Sequence, residues 1–254
     1  MALSNFPKAR PPVASVLPVH DVRDDDLFIV SYPRSGNTWI RFLLANLLAS
    51  GEEITFRNIE EYVPDLHKSA STLAERQGRR FVKSHHPCYE AYPRFIYIYR
   101  DGRDALVSHY HYTTERKVFA GSFGEFVVSS LASKFGSWRE HVIGALDFAH
   151  SQPERVLLLQ YEQMLERPRD FAAKVAAFAR IETDETQLAS AVAKSSFVQL
   201  QSIEKKFGAE KLEQPCSFFR KGESGQWRSY FTDELYQRYL RENGETLSRL
   251  GYSI

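Results

Sequence analysis

Five consecutive residues, Arg34, Ser35, Gly36, Asn37 and Thr38, combine a fixed positive charge, a residue without Cβ and three small hydrogen-bonding side chains. They stand between a short apolar run, LFIVSY (27–32), and TWIRFLLANLLAS (38–50), whose apolar residues recur at helical spacing. A tight turn from a buried strand into a helix leaves the first helical amides without intrahelical acceptors, and the helix dipole adds partial positive charge at that end. Such a turn is a site for a phosphate or a similar anion. Gly36 lets the backbone approach the ligand closely, and Arg34 adds charge-assisted hydrogen bonds. The ATP-type pattern G-x-x-x-x-G-K-[ST] is not met, because the turn has one glycine and no lysine after it.

Lys83 and His85 lie two apart in FVKSHHP, so on a strand both project to one face. An imidazole poised near neutrality serves as a general base, and a neighbouring ammonium stabilises developing negative charge. Together they suit activation of a hydroxyl. The neighbouring His86, Cys88, His109 and His111 raise the question of a metal. On a helix, however, His109 and His111 do not share a face, and HHPC lacks the spacing of zinc sites. Two further cationic elements follow: Arg100 with Ser108, which converge on a second phosphate if the chain folds back over the ligand, and Arg220 and Lys221 before Gly222. Asp101, at the end of an apolar run, also mimics the acidic strand that holds Mg²⁺ in phosphoryl-transfer enzymes.

The elements that must position these groups are legible as four apolar runs, 27–32, 81–85, 95–100 and 156–161, most of them followed by helical periodicity. Runs buried on both faces and alternating with helices predict an α/β fold, a three-layer sandwich with a central parallel sheet. Ligands in such folds sit beyond the carboxyl ends of the strands. Helices are expected over 38–49, 103–112, 138–149, 169–180, 185–199 and 233–249, within a single domain spanning 1–254. Residues 1–26 read as an extended lead-in, and the glycine- and proline-containing stretch 201–232 as a lid. Its aromatic residues Phe218, Phe219, Trp227 and Phe231 argue for docking on the body.

In the family's order, these segments resemble the 3′-phosphoadenosine 5′-phosphosulfate (PAPS)-dependent sulfotransferases of the cytosolic type. YPRSGNTW (32–39) is similar to the family's YPKSGTTW loop in a bacterial-like variant, KSH (83–85) to its K-T-H element, RDGRDALVSHYHY (100–112) to its 3′-phosphate motif, and RKGESGQW (220–227) to its RKGxxGDW lid. The resemblance implies a P-loop-like turn in which Arg34, Ser35, Gly36, Asn37 and Thr38 hold the 5′-phosphosulfate, with Trp39 near the adenine. It implies that Arg100, Ser108, Arg220, Lys221 and Gly222 hold the 3′-phosphate, and that Tyr161, Ser195 and Phe197 contact adenine. His85, Lys83, Arg34 and Ser108 form the implied catalytic set. PAPS is the implied co-substrate and PAP the product, with no metal.

Arg34 replaces the usual lysine, and a guanidinium that never deprotonates acts electrostatically. Gln226 replaces the lid aspartate, and Arg228, Thr232, Asp233 and Gln237 depart from the family's dimer motif, leaving the oligomeric state open. A nucleotide-dependent phosphotransferase and a non-catalytic PAP-binding module are the alternatives.

Composition limits the partners. In 254 residues, Lys+Arg 33 against Asp+Glu 32 gives a net charge of +1, so no global field draws the chain to nucleic acid or to a membrane surface. Two cysteines, Cys88 and Cys216, point to a reducing, cytoplasmic compartment, and no signal peptide or membrane span is read. The expected acceptor is a small molecule bearing a hydroxyl or amine, in a pocket lined from 109–135 by residues such as Tyr110, Tyr112, Phe119, Phe123 and Phe126.

Overall fold

The computed structural model describes residues 17, 21–49, 51–130, 135–209 and 217–254. The strands β1 (Leu27–Ser31), β2 (Phe81–Ser84), β3 (Arg94–Tyr99) and β4 (Val156–Gln160) form one parallel sheet in the order β2-β1-β3-β4. Leu27 pairs with both Phe81 and Arg94, so the carboxyl ends of β1, β2 and β3 finish at one level.

The helices are α1 (Asn37–Leu48), α2 (Ile59–Tyr62), α3 (Leu66–Ser69), α4 (Gly102–Glu115), α5 (Phe123–Ser130), α6 (Trp138–Ser151), α7 (Tyr161–Glu166), α8 (Pro168–Phe178), α9 (Glu185–Lys194), α10 (Phe197–Phe207) and α11 (Asp233–Arg249). Alternation along the strands divides the core. Leu27, Ile29, Ile96 and Ile98 face α1, α8 and α9, while Phe28, Val30, Phe95 and Tyr97 face α6. These are the three layers expected of near-continuously apolar strands. A third cluster joins α4, α5, α6 and α11 around Trp138 and Tyr239 at the carboxyl end of the sheet. There Gly102 admits no side chain, since a Cβ would lie 2.3 Å from the Tyr239 hydroxyl and 2.5 Å from the Trp138 ring.

The continuous helix expected over 185–199 is two helices. Ser195 closes α9, and Ser196 turns extended and caps α10 by accepting from the Gln199 amide. A serine that bonds local backbone groups competes with helix continuation. Residues 201–207 of the expected lid accordingly belong to α10. The short α2, α3, α5 and α7 were not anticipated, because one or two turns carry too little periodicity to read. Most of the lead-in and Cys216 lie outside the described residues. No helix among the described residues is long and apolar enough to cross a membrane.

Candidate active site

The anion turn lies between β1 and α1. Arg34 and Gly36 both take positive φ, 67° and 103°, and among the described residues the amides of Gly36, Asn37 and Thr38 donate to no backbone carbonyl. That geometry presents a row of N–H groups at the start of a buried helix. Gly36 is required twice over: its φ disfavours a side chain, and a Cβ would stand 2.7 Å from the Tyr161 ring. Ser35 is fully buried with its hydroxyl unpartnered. Asn37 differs from expectation. Its side-chain amide is spent on the Ile29 carbonyl (3.0 Å), the Ser31 hydroxyl (3.3 Å) and the Ser84 carbonyl (3.2 Å), so it stitches β1 to β2 and leaves only its backbone N–H for an anion.

Arg34 reaches across the mouth of the turn. Its Nε donates to Ser108 Oγ at 3.1 Å and one Nη to the Phe218 carbonyl at 3.0 Å. Its guanidinium lies between the Tyr112 and Phe218 rings, 4.7 and 4.4 Å from their centroids. Arg100 donates to the carbonyls of Arg34 (3.3 Å) and Glu223 (2.8 Å) and lies 4.3 Å over the Tyr161 ring, while its buried Nε has no partner. Trp39 meets Tyr161 edge-on at 5.9 Å.

The segment carrying Arg220, Lys221 and Gly222 is docked, as its aromatic content predicts. Asp104 accepts from the amides of Gly225 and Trp227, Glu204 accepts from those of Phe218 and Phe219, and Arg103 stacks 3.9 Å over Trp227. Gly222 sits against Phe197 with φ 66°, and a Cβ there would meet the ring at 2.4 Å. Asp101 is fully committed elsewhere. Its carboxylate caps α4 through the Arg103 amide and pairs with the Arg103 guanidinium at 2.7 Å.

His85 follows the last residue of β2. Its Nδ1 lies 2.7 Å from the Ser31 carbonyl oxygen, which can only accept, so Nδ1 carries the proton and Nε2 presents a lone pair. Burial, followed by the Lys83 charge, pushes this imidazole down to about 3, so it stays neutral at ordinary pH. Behind it, buried His141 donates from Nε2 to the His85 carbonyl (3.0 Å) and accepts at Nδ1 from the Tyr97 hydroxyl (2.7 Å). Lys83 pairs with Asp65 at 2.7 Å. Neither His141 nor Asp65 carries a signal in the sequence. His141 lies in an ordinary amphipathic helix, and Asp65 lies in a segment without strand periodicity.

The site residues expected from the sequence, Ser35 excepted, converge. Arg34, Gly36, Asn37, Thr38, Trp39, Lys83, His85, Arg100, Ser108, Tyr161, Ser195, Phe197, Arg220, Lys221 and Gly222 line one cavity of about 960 Å³. Of the expected acceptor-pocket residues, Tyr112, Phe119 and Phe126 line it, joined by His109 and Phe135. Tyr110 and Phe123 instead pack into the α4–α5 cluster.

The family model described as "Sulfotransferase domain" matches residues 24–251. The chain belongs to the sulfotransferase family. Flavonol 4′-sulfotransferase of Flaveria chlorifolia is 29% identical over 90% of this chain and 81% of its own, and sulfotransferase 1E1 of Rattus norvegicus is 30% identical over 85% and 81%. The crystal structure of mouse sulfotransferase SULT7A1 complexed with PAP superposes with a TM-score of 0.74 at 24% identity, covering 92% of this chain and 87% of that one. This sulfotransferase therefore shares its α/β fold with a protein solved with PAP bound. Its cavity opens at the carboxyl ends of the parallel strands, where such sheets place their ligands.

Proposed function

We propose that the cavity binds PAPS and that His85 deprotonates a hydroxyl or amine of a small-molecule acceptor as that atom attacks sulfur. The reading is supported above all by His85 itself, whose proton is fixed on Nδ1 and whose free Nε2 belongs to the same cavity as two cationic clusters. The donor fits the residues present. The amides of Gly36, Asn37 and Thr38 and the guanidinium of Arg34 suit the 5′-phosphosulfate. Ser108, Arg220 and the unpartnered Nε of Arg100 suit the 3′-phosphate. Trp39, Tyr161, Ser195 and Phe197 supply aromatic faces and a hydroxyl for adenine.

In the transfer, Nε2 of His85 takes the acceptor proton. A bond forms from the acceptor oxygen or nitrogen to sulfur, and the bond from sulfur to the bridging phosphate oxygen breaks. Lys83 and Arg34 neutralise the charge that gathers on that oxygen as PAP leaves. Residues 217–229 act as the lid. The sparse cysteines support a cytoplasmic setting.

The test is His85→Ala. Transfer from PAPS falls by ~10²-fold or more, the range for removing a general base, while PAP binds in calorimetry as it does to the parent. Parental turnover in the variant would reject His85 as the base, and lost PAP binding would assign it to the nucleotide instead.

A further inference from the structure

Lys83 does not lie in the cavity wall unaided. The chain 63–65 runs beside β2, the edge strand of the sheet. The Lys83 amide donates to the Pro64 carbonyl at 2.8 Å, and Asp65 forms a parallel bridge with Lys83. Bridged residues present their side chains side by side, and here the carboxylate and the ammonium meet at 2.7 Å, each about nine-tenths buried.

The carboxylate is itself held. One oxygen accepts from the His67 amide at 3.1 Å, capping α3, and the other takes Lys83. The Asp65 amide donates to Glu60 (2.8 Å), and Glu60 pairs at 2.7 Å with Arg41, a fully buried residue of the helix that starts at the anion turn. Alternating charges thus run from Glu60 through Arg41 and Asp65 to Lys83, two residues before the neutral His85.

A buried carboxylate beside an anion cavity opposes binding of an anionic donor. It is tolerable where it performs a task that outweighs this cost. An ammonium has three N–H donors on a flexible stem, and an unpartnered lysine would sample many positions. One bond to Asp65 leaves two donors to aim at charge developing in the cavity.

We propose that Asp65 is a positioning residue for the transfer step, holding the Lys83 ammonium where it can stabilise the departing bridging oxygen. The proposal rests on the roles given above to Lys83 and His85. Asp65 borders the same cavity, but its carboxylate is taken up by Lys83 and the His67 amide, so it acts through Lys83. It also offsets the lysine's charge at His85. The charged and titratable groups acting on that imidazole are Lys83 from β2, Asp65 from the start of α3 and His141 from α6. Burial opposes ionisation of Asp65, but Lys83 and Arg41 hold its carboxyl well below the usual carboxylate range, so it stays charged throughout the working pH range.

The test is a double-mutant cycle of Asp65→Asn and Lys83→Met, with Asp65→Glu as the conservative variant. Asparagine caps helices as well as aspartate, so α3 is retained. In Asp65→Asn, kcat is expected to fall ~10–100-fold, the cost of a misplaced catalytic group, with PAP affinity equal to or above the parent's. The acid limb of kcat/KM moves to lower pH, because a negative charge that favours the imidazolium has been removed. Added to Lys83→Met, Asp65→Asn costs almost nothing further, and Asp65→Glu restores part of the rate. Parental kcat in Asp65→Asn, or losses that multiply across the cycle with an unmoved acid limb, would overturn the proposal. If Lys83→Met and His85→Ala themselves leave turnover intact, the catalytic assignment fails instead, and the two failures are distinguishable.

Discussion

On the proposed reading, the nucleotide end and the acceptor end of the cavity are built from different chemistry. At the nucleotide end the charges are guanidinium and ammonium groups, Arg34, Arg100, Arg220 and Lys221, and the backbone is fixed by Gly36 and Gly222 at positive φ. At the acceptor end two imidazoles, His85 and His109, are kept neutral by burial and set among Phe119, Phe126 and Phe135. His85 lies 5.6 Å from the Phe135 ring, and His109 lies 5.4 Å from that of Phe126. A dianion must be matched by charge that does not titrate away, whereas a neutral acceptor that has to lose a proton needs bases that are unprotonated beforehand. The division lets one cavity hold a strong anion without protonating its own base.

The largest expected consequence is in acid stability. Burial pushes His85 down to about 3 and His109 and His141 each to about 4. An unfolded chain takes up these protons near 6.5 while the folded chain does not. The unfolded state then binds more protons, so stability is fully present above pH 6.5 and is lost as pH falls toward 4, by up to ~1.4 kcal/mol per pH unit for each imidazole. Asp104 and Glu162, raised by burial, act in the opposite sense but in the carboxylate range. Urea midpoints at pH 7 and pH 5 measure the effect, and His141→Gln should flatten it. Equal midpoints at both values would mean that the acceptor end titrates freely and that the contrast with the arginine-lined end is false.

The nucleotide end is tested by Arg220→Ala. Loss of a charge-assisted contact weakens PAP by ~10–100-fold, and the urea midpoint at pH 7 changes little, since Arg220 is half-buried and, among the described residues, has Gln226 as its one side-chain hydrogen-bond partner. Calorimetry decides. Parental affinity would remove the segment after Phe219 from the nucleotide site.

The two ends also differ in how far they were legible. The turn at 34–38 could be read because a phosphate cradle is local: consecutive residues supply the glycine, the charge and the helix start. Arg100 with Ser108, and Arg220 with Lys221, were each visible as pairs within one segment. Even so, Asn37 shows a limit. Residue type marked it as a donor, and only the fold revealed that its amide joins two strands. The acceptor end was read as a list of aromatic residues. Nothing in the spacing separates Phe126, which lines the cavity, from Phe123, three residues earlier, which packs against Tyr110, Tyr230 and Phe231. Asp65 and His141 were invisible because each acts across a long separation, and no local pattern records a partner 18 residues away at Lys83 or 56 residues away at His85.

The smallest expected effect bears on whether the two ends act independently. Phe126 is buried and touches His109, Tyr110 and Phe119, with ring centroids 5.4, 5.6 and 5.2 Å away. Phe126→Leu keeps an apolar side chain but removes three edge-on or tilted ring contacts, each worth ~0.5–1.5 kcal/mol beyond area burial. The acceptor KM should therefore rise only ~2–10-fold, the wall that contacts the acceptor being loosened rather than lost. PAP affinity should not change, because Phe126 borders none of Arg34, Arg100 or Arg220 through the contacts just described. Steady-state kinetics with PAPS saturating, set beside PAP calorimetry, separates the cases. If PAP affinity shifts in step with the acceptor KM, His109 is transmitting the loosened packing to Arg34, whose charge already acts on it. The two ends would then be coupled through α4 rather than merely adjacent.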